Sequence, residues 1–429
     1  MNRREYLKRT MLLGAAGLLQ PVGRLYAAEA EYTGRLLVVL QAEGAWDVTD
    51  YCDPKVNQPG EQEITHWSRT LEPGTAGGLG YAPIVNNAFL FDKYHQDMLV
   101  INGVDAQTNS HTTGVLHSWS GRNAQGYPSL TALFAAHHAP LKPLSYINFG
   151  GFSDTAGTIR FSRLDDVGAL RQLLDPALQP GDSSVRLRRA EDLDRIAAYR
   201  AARNTRLLAR DDLLARERDN LEAYEAALAS GSELSSFASF VPADEAILPD
   251  VDVNGQATSS LPRQIQMTLA AFEAGVAVAS DLIVGGFDTH QDHDALQEPL
   301  LEHLNDGIDQ LWTGAEAAGF ADRLTVVIGS DFGRTPHYNA DDGKDHWPIG
   351  SVVVMEKNAS WTDRAVGVTD AGHNAVSIDP TTLAESASGT IIYPKHVHKA
   401  LRRHLGIEGS VVEMPFAFAN TEDFTFFEA

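Results

Sequence analysis

The chain of 429 residues is 43% apolar, 21% charged and 8% aromatic, proportions that exclude collagen-like, low-complexity and wholly disordered proteins. Its 34 Lys and Arg face 57 Asp and Glu, a formal net charge of −23 that argues against nucleic-acid binding and anionic-membrane binding and leaves carboxylates free for cations. A single cysteine, Cys52, excludes an intramolecular disulfide framework and a thiolate-built metal site.

At the start, Arg3 and Arg4 precede an apolar run from Met11 to Leu19. A bilayer core of roughly 30 Å needs a longer helix, so no membrane anchor is expected. Ala28-Glu29-Ala30 has the small-x-small pattern of a signal-peptidase site, and cleavage is expected after Ala30. The arginine pair with Tyr6 and Leu7 marks residues 1–30 as a twin-arginine export signal. The translocase would then be a transient partner, and the periplasm or the exterior the destination. Losing five basic and two acidic residues with this leader takes the net charge from −23 to −26.

Beyond the leader, apolar runs at Leu36–Gln41, Met98–Asn102, Leu144–Phe149, Val276–Val284, Leu324–Ile328 and Ser351–Met355 read as strands. They are continuous rather than alternating, which predicts strands covered on both faces. Helix-like stretches at Pro262–Ala279 and Gln297–Gly319 each lead into such a run. The expected fold is α/β, a mainly parallel sheet with helices on both faces, filling residues 31–429 as a single domain. Between about 185 and 235 the composition turns to Arg, Glu, Asp, Ala and Leu, and Leu207, Leu214, Leu221 and Leu228 lie seven apart. A helical insertion packed by a leucine stripe is expected there, with homodimerisation through residues 193–228 as the alternative.

The Asp and His clusters fall just after the expected strands, where ligands bind in open α/β sheets. The first strand leads to Glu43-Gly-Ala-Trp-Asp47 and the second to Asn109-Ser110-His111-Thr112-Thr113. Later come Phe287-Asp288-Thr289-His290 with His293, then Ser330-Asp331-Phe332-Gly333-Arg334, then Lys344-Asp345-His346-Trp347. Asp with neutral His is the donor set of zinc, manganese and similar hydrolytic metals, whereas carboxylates alone suit magnesium or calcium. Each cluster also has a bland reading: Asp47 as a helix cap, Asp331 paired with Arg334 in a turn, Asp345 and His346 in a hydrogen-bonded loop.

Gly44-Ala-Trp-Asp47 with Cys52-Asp-Pro-Lys55, Gly286-Phe-Asp288-Thr-His290, Asp331-Phe-Gly-Arg334-Thr-Pro336 and Gly343-Lys-Asp345-His346-Trp-Pro348 resemble the exported bacterial family named domain of unknown function 1501. That family is grouped by fold with alkaline phosphatases and sulfatases. The resemblance implies an alkaline-phosphatase-like, metal-dependent hydrolase acting on a small anionic phosphate or sulfate ester. Its metal ligands would come from Asp47, Asp288, His290, His293, Asp331, Asp345 and His346, and the cation would be zinc, manganese, magnesium or calcium. Ser110, Thr112 or Thr113 would be the nucleophile, with His111 as ligand or base, and Arg334 would clamp the oxyanion. Two departures stand out. Phe332 follows Asp331 where the superfamily has His, so His346 must fold back to complete a second site. Cys52-Asp-Pro54-Lys-Val56 carries Val where a formylglycine sulfatase needs Arg. A non-catalytic exported binding or assembly protein on the same scaffold is the alternative.

Overall fold

The six apolar runs become six strands of one eight-stranded sheet. The strands are β1 Leu36–Ala42, β2 Met98–Asp105, β3 Tyr146–Asn148, β4 Ser162–Arg163, β5 Ala279–Val284, β6 Leu324–Ser330, β7 Ile349–Glu356 and β8 Arg364–Val366. They belong to a computed structural model that describes residues 32–179, 182–229, 231–255 and 257–428. The expected leader, residues 1–30, lies outside the described residues.

Strand order is β8-β2-β7-β6-β1-β5-β3-β4, and every neighbouring pair is parallel except the two made by β7. At the centre all seven residues of β1 are buried, as continuous apolar runs require. Each fully buried Leu or Val there contributes about 1.5–3 kcal/mol. Helices cover both faces. Ser280 bonds Thr268 of the helix Leu261–Glu273 at 2.8 Å, while the next residue, Asp281, bonds Thr131 of the helix Leu130–His138. Consecutive strand residues point to opposite faces, so these two helices lie on opposite sides.

The helix expected to reach Ala279 stops at Glu273. Gly275 (φ +67°) turns the chain so that β5 can begin at Ala279. The later helix starts earlier than expected and runs His293–Ala317.

The leucine stripe does not form one seam. Two helices, Ala190–Leu208 and Ala215–Ala229, pack antiparallel, with Asn204 Nδ2 donating to Leu221 O at 3.3 Å and Arg218 to Leu208 O at 3.2 Å. Leu214 lies in the turn between them and is 66% exposed, so the seven-residue spacing is broken where the chain reverses. Among the described residues no helix is long and apolar enough to cross a membrane.

Candidate metal centre

Register decides what meets at the sheet edge. Ala42 of β1 stands level with Val284 of β5 and Ser330 of β6, so the segments after these three central strands emerge side by side. Asp331 follows β6 directly, Asp288 and His290 sit in the loop after β5, and His111 opens the helix His111–Ser120 beyond β2. Because β7 runs the other way, the chain reaches this same edge just before Ile349, which delivers Asp345 and His346. A short ribbon pairs Arg334 with His346 and Gly333 with Trp347.

There, three imidazoles converge on one carboxylate. His346 Nε2 lies 3.0 Å from His111 Nε2 and 2.9 Å from His290 Nε2. Asp288 Oδ1 is 3.3 Å from His111 Nε2, 3.1 Å from His290 Nε2 and 3.2 Å from His346 Nε2. Each ring's other nitrogen is already committed. His111 Nδ1 meets Asp331 Oδ2, His290 Nδ1 meets Asp345 Oδ1 at 2.8 Å, and His346 Nδ1 meets the Asn109 carbonyl at 2.8 Å. These partners only accept, so the Nδ1 atoms carry the protons, and a ring without a second proton turns a bare Nε2 lone pair toward Asp288 Oδ1, with His346 Nε2 facing those of His111 and His290. Lone pairs so placed repel one another unless a cation, or a proton shared with Asp288, lies between them. Tetrahedral ligands at bond lengths of about 2.0–2.1 Å lie roughly 3.3 Å apart, and His111, Asp288 and His346 form a group of three donors near that separation, with His290 reaching Asp288 and His346 from the side away from His111. Acceptors on the far nitrogen are the usual way a metal-binding imidazole is oriented.

The supporting shell is tightly built. Asp331 Oδ1 accepts from Ala45 N at 2.7 Å, Gly44 N at 3.3 Å and Ser330 Oγ at 2.8 Å. Burial opposes its ionisation, but the bond from His111 and that from Ser330 hold its pKa below the usual carboxylate range. The Asp331 bond in turn raises His111. Gly114 lets the helix press on this turn, because a Cβ there would lie 2.7 Å from Phe332 and 2.8 Å from Asp331 O. Phe332 stacks on the His111 ring at 4.8 Å between centroids. Burial raises the Asp288 pKa, yet the Arg334 guanidinium and His346 outweigh it and bring it to about 2.

Several expected roles change. Arg334 is fully buried and donates to the carbonyls of Gly44, Ala45, Phe287 and Lys344 and to Asp288. It therefore positions Asp288 and cannot reach a substrate oxyanion, nor does it pair with Asp331. Asp331 and Asp345 hold histidines by Nδ1 rather than facing the centre. Asp47 is in a separate buried cluster with Asp50 and His293, where His293 Nε2 is 3.1 Å from Asp47 Oδ2 and 3.6 Å from Asp50 Oδ2. The cation of that cluster is Lys344, whose Nζ lies 2.5 Å from Asp47 Oδ2. Burial alone would raise the Asp47 pKa, but Lys344 and His293 hold it below the usual range. The ammonium supplies the positive charge there, and His293, expected among the metal ligands, belongs to this ion-pair network.

Ser110 and Thr112 flank His111 and are exposed. Ser110 is the N-cap residue, yet its hydroxyl makes no capping bond. Neither hydroxyl, nor that of Thr113, bonds a residue of the cluster among the described residues.

A family model described as protein of unknown function (DUF1501) matches residues 35–385, which include all four converging side chains and their Nδ1 partners. The chain belongs to that family. No curated protein matches the sequence. Among solved structures it is similar to a phosphonate monoester hydrolase of Agrobacterium radiobacter, at 13% identity over 87% of this chain and 74% of that one, with a TM-score of 0.34. It is also similar to a member of the alkaline phosphatase superfamily from Vibrio parahaemolyticus, at 8% identity, 87% and 66% coverage and a TM-score of 0.37. A lipoteichoic acid synthase from Listeria monocytogenes aligns at 9% identity, 88% and 74% coverage and a TM-score of 0.36.

Sequence reasoning on this family member missed Asp50, Lys344 and Asn109. Lys344 stands two places before His346 in an otherwise acidic, polar loop, a signal that could have marked it as a counter-ion. Nothing in sequence announces a backbone carbonyl such as that of Asn109.

Proposed function

We propose that this chain is an exported, metal-dependent hydrolase of ester bonds whose centre is His111, Asp288, His290 and His346. What carries the reading is that His346 Nε2 faces those of His111 and His290 beside Asp288 while each ring is bound at Nδ1. Three imidazoles and one carboxylate suit zinc or manganese better than magnesium or calcium. A divalent cation held there would supply Lewis acidity to an ester oxygen. The chain's own residues fix its surroundings: Asp331, Asp345 and the Asn109 carbonyl hold the ring protons, and Arg334 holds Asp288. The family resemblance suggests phosphate or sulfate esters as substrates. With Arg334 enclosed, their charge would be met at the centre itself. Export would use residues 1–30, and the helical pair within residues 193–228 could join two copies.

The test is turnover on a panel of phosphate monoesters, phosphate diesters and sulfate esters with zinc, manganese, magnesium or calcium added. At least one class should be hydrolysed, and Asp288→Ala and His290→Ala should each lower the rate at least about 100-fold. A second reading, a non-catalytic binding or assembly protein, is favoured by the lack of contact between the three hydroxyls and the cluster. Absence of turnover across the panel, in protein that holds its metal, would select it.

A further inference from the structure

Beside the His111–Asp331 pair lies a cleft of about 320 Å³ that the proposed chemistry leaves unassigned. One wall is the helix His111–Ser120, through Val115 and Trp119, and the opposite wall is the loop carrying Phe152 and Asp154. Gln41, at the end of β1, fixes that loop: its Nε2 donates to Phe152 O at 3.1 Å and its Oε1 accepts from Phe152 N at 2.8 Å. The loop comes this close because Gly151 (φ +68°) has no side chain, since a Cβ there would lie 2.3 Å from Gln41 Oε1. One wall is thus a helix and the other a loop tied to β1 through Gln41.

Its charges all have one sign. Glu43, the first residue beyond β1, is exposed, and its carboxylate has no hydrogen-bond or ion-pair partner among the described residues. Asp154 is exposed opposite, accepting from Ala156 N at 2.7 Å. Among the described residues no Lys or Arg lines the cleft, and Arg334 is enclosed. An apolar lining that includes Trp119 and Phe152, with carboxylates at the rim, favours an organic cation over an anion.

We propose that this cleft binds an ammonium group, so that the ester taken by the centre carries a positively charged amine on the portion that enters between Trp119 and Phe152. The substrate class rests on the hydrolase reading above, whereas binding of the cation rests on the cleft alone.

The test uses the full protein as purified, with its metal content measured in the same samples. Benzyltrimethylammonium, which has no lone pair to offer a metal, is titrated beside benzyl alcohol and benzoate, followed by calorimetry and by Trp fluorescence. The ammonium should bind at least about tenfold more tightly than the alcohol, and benzoate most weakly. Glu43→Gln should lower the ammonium affinity about tenfold, Asp154→Asn should lower it too, and neither should change metal content or melting temperature. Benzoate binding as tightly as the ammonium, or an ammonium affinity untouched by both substitutions, would overturn the proposal. Cation binding in protein that holds no metal would uphold the cleft while removing the hydrolase reading.

Discussion

His111 and His346 turn their Nε2 atoms to within 3.0 Å of each other while each ring's Nδ1 is bound elsewhere, to Asp331 and to the Asn109 carbonyl. Asp288 Oδ1 lies within 3.3 Å of both Nε2 atoms, and His290 Nε2 approaches His346 at 2.9 Å from the side away from His111. A core histidine that only needed satisfying would have used both nitrogens on protein acceptors. Here the three Nε2 atoms share a single acceptor, Asp288 Oδ1, which is the crowding a common occupant would resolve.

If Asp345 acts only by orienting His290, Asp345→Ala should weaken zinc or manganese binding about 10- to 100-fold without unfolding the protein. Its side chain is 57% exposed, so little packing is lost. Competition with a chromogenic chelator reads the affinity, and an unchanged value would remove Asp345 from the account.

Gly114→Ala should disturb the same centre from the helix side. The added Cβ would meet Phe332 and the Asp331 carbonyl at under 3 Å, pushing His111 away from its partners. The expected cost is about 1–3 kcal/mol in urea unfolding, together with weaker metal binding. Loss of stability with full metal affinity would mean that the helix start does not set the position of His111.

The buried Lys344 is expected to matter for stability and not for metal content. Lys344→Met leaves Asp47 and Asp50 without their cation and should cost about 3–5 kcal/mol. Adding Asp47→Asn should recover a large part of that loss, because the uncompensated charge goes with it. Equal destabilisation in the single and double variants would mean that packing, not charge, is at stake.

What the sequence discloses here follows from geometry. The Asp288-Thr-His290 and Asp331 motifs are legible because they follow continuous apolar strands whose carboxyl ends gather at one edge. His346 is harder to place, because its arrival depends on β7 running antiparallel, which no local pattern announces. Asp47 looks like a ligand from its place after β1, yet its fate is decided by Lys344, 297 residues away. Arg334 reads as an anion clamp until burial shows it saturated by four carbonyls. The leucine spacing fails for a similar reason: heptad arithmetic does not see the turn at Leu214.

Asp281 offers a test of the core that is independent of the centre. Burial pushes its carboxyl up to about 7, against hydrogen bonds from Thr131, Tyr146 and Asn148. Unfolded, it would titrate near 3.9. The folded state therefore keeps a proton that the unfolded state has lost between those values. This contribution to stability is whole below about pH 4, falls as pH rises toward 7 and is flat above, with a slope of at most about 1.4 kcal/mol per unit. Urea unfolding from pH 4.5 to 8 should show this decline in the parent relative to Asp281→Asn, and parallel profiles would contradict it.

The most direct measurement is the metal content of the full protein, purified without chelator and then dialysed after exposure to zinc or manganese. About one tightly bound divalent ion per chain is expected, lost in His290→Ala and in His346→Ala while both variants stay folded, and kept in Lys344→Met. A chain that retains no ion, or that keeps its ion when both His290 and His346 are replaced, would contradict the account.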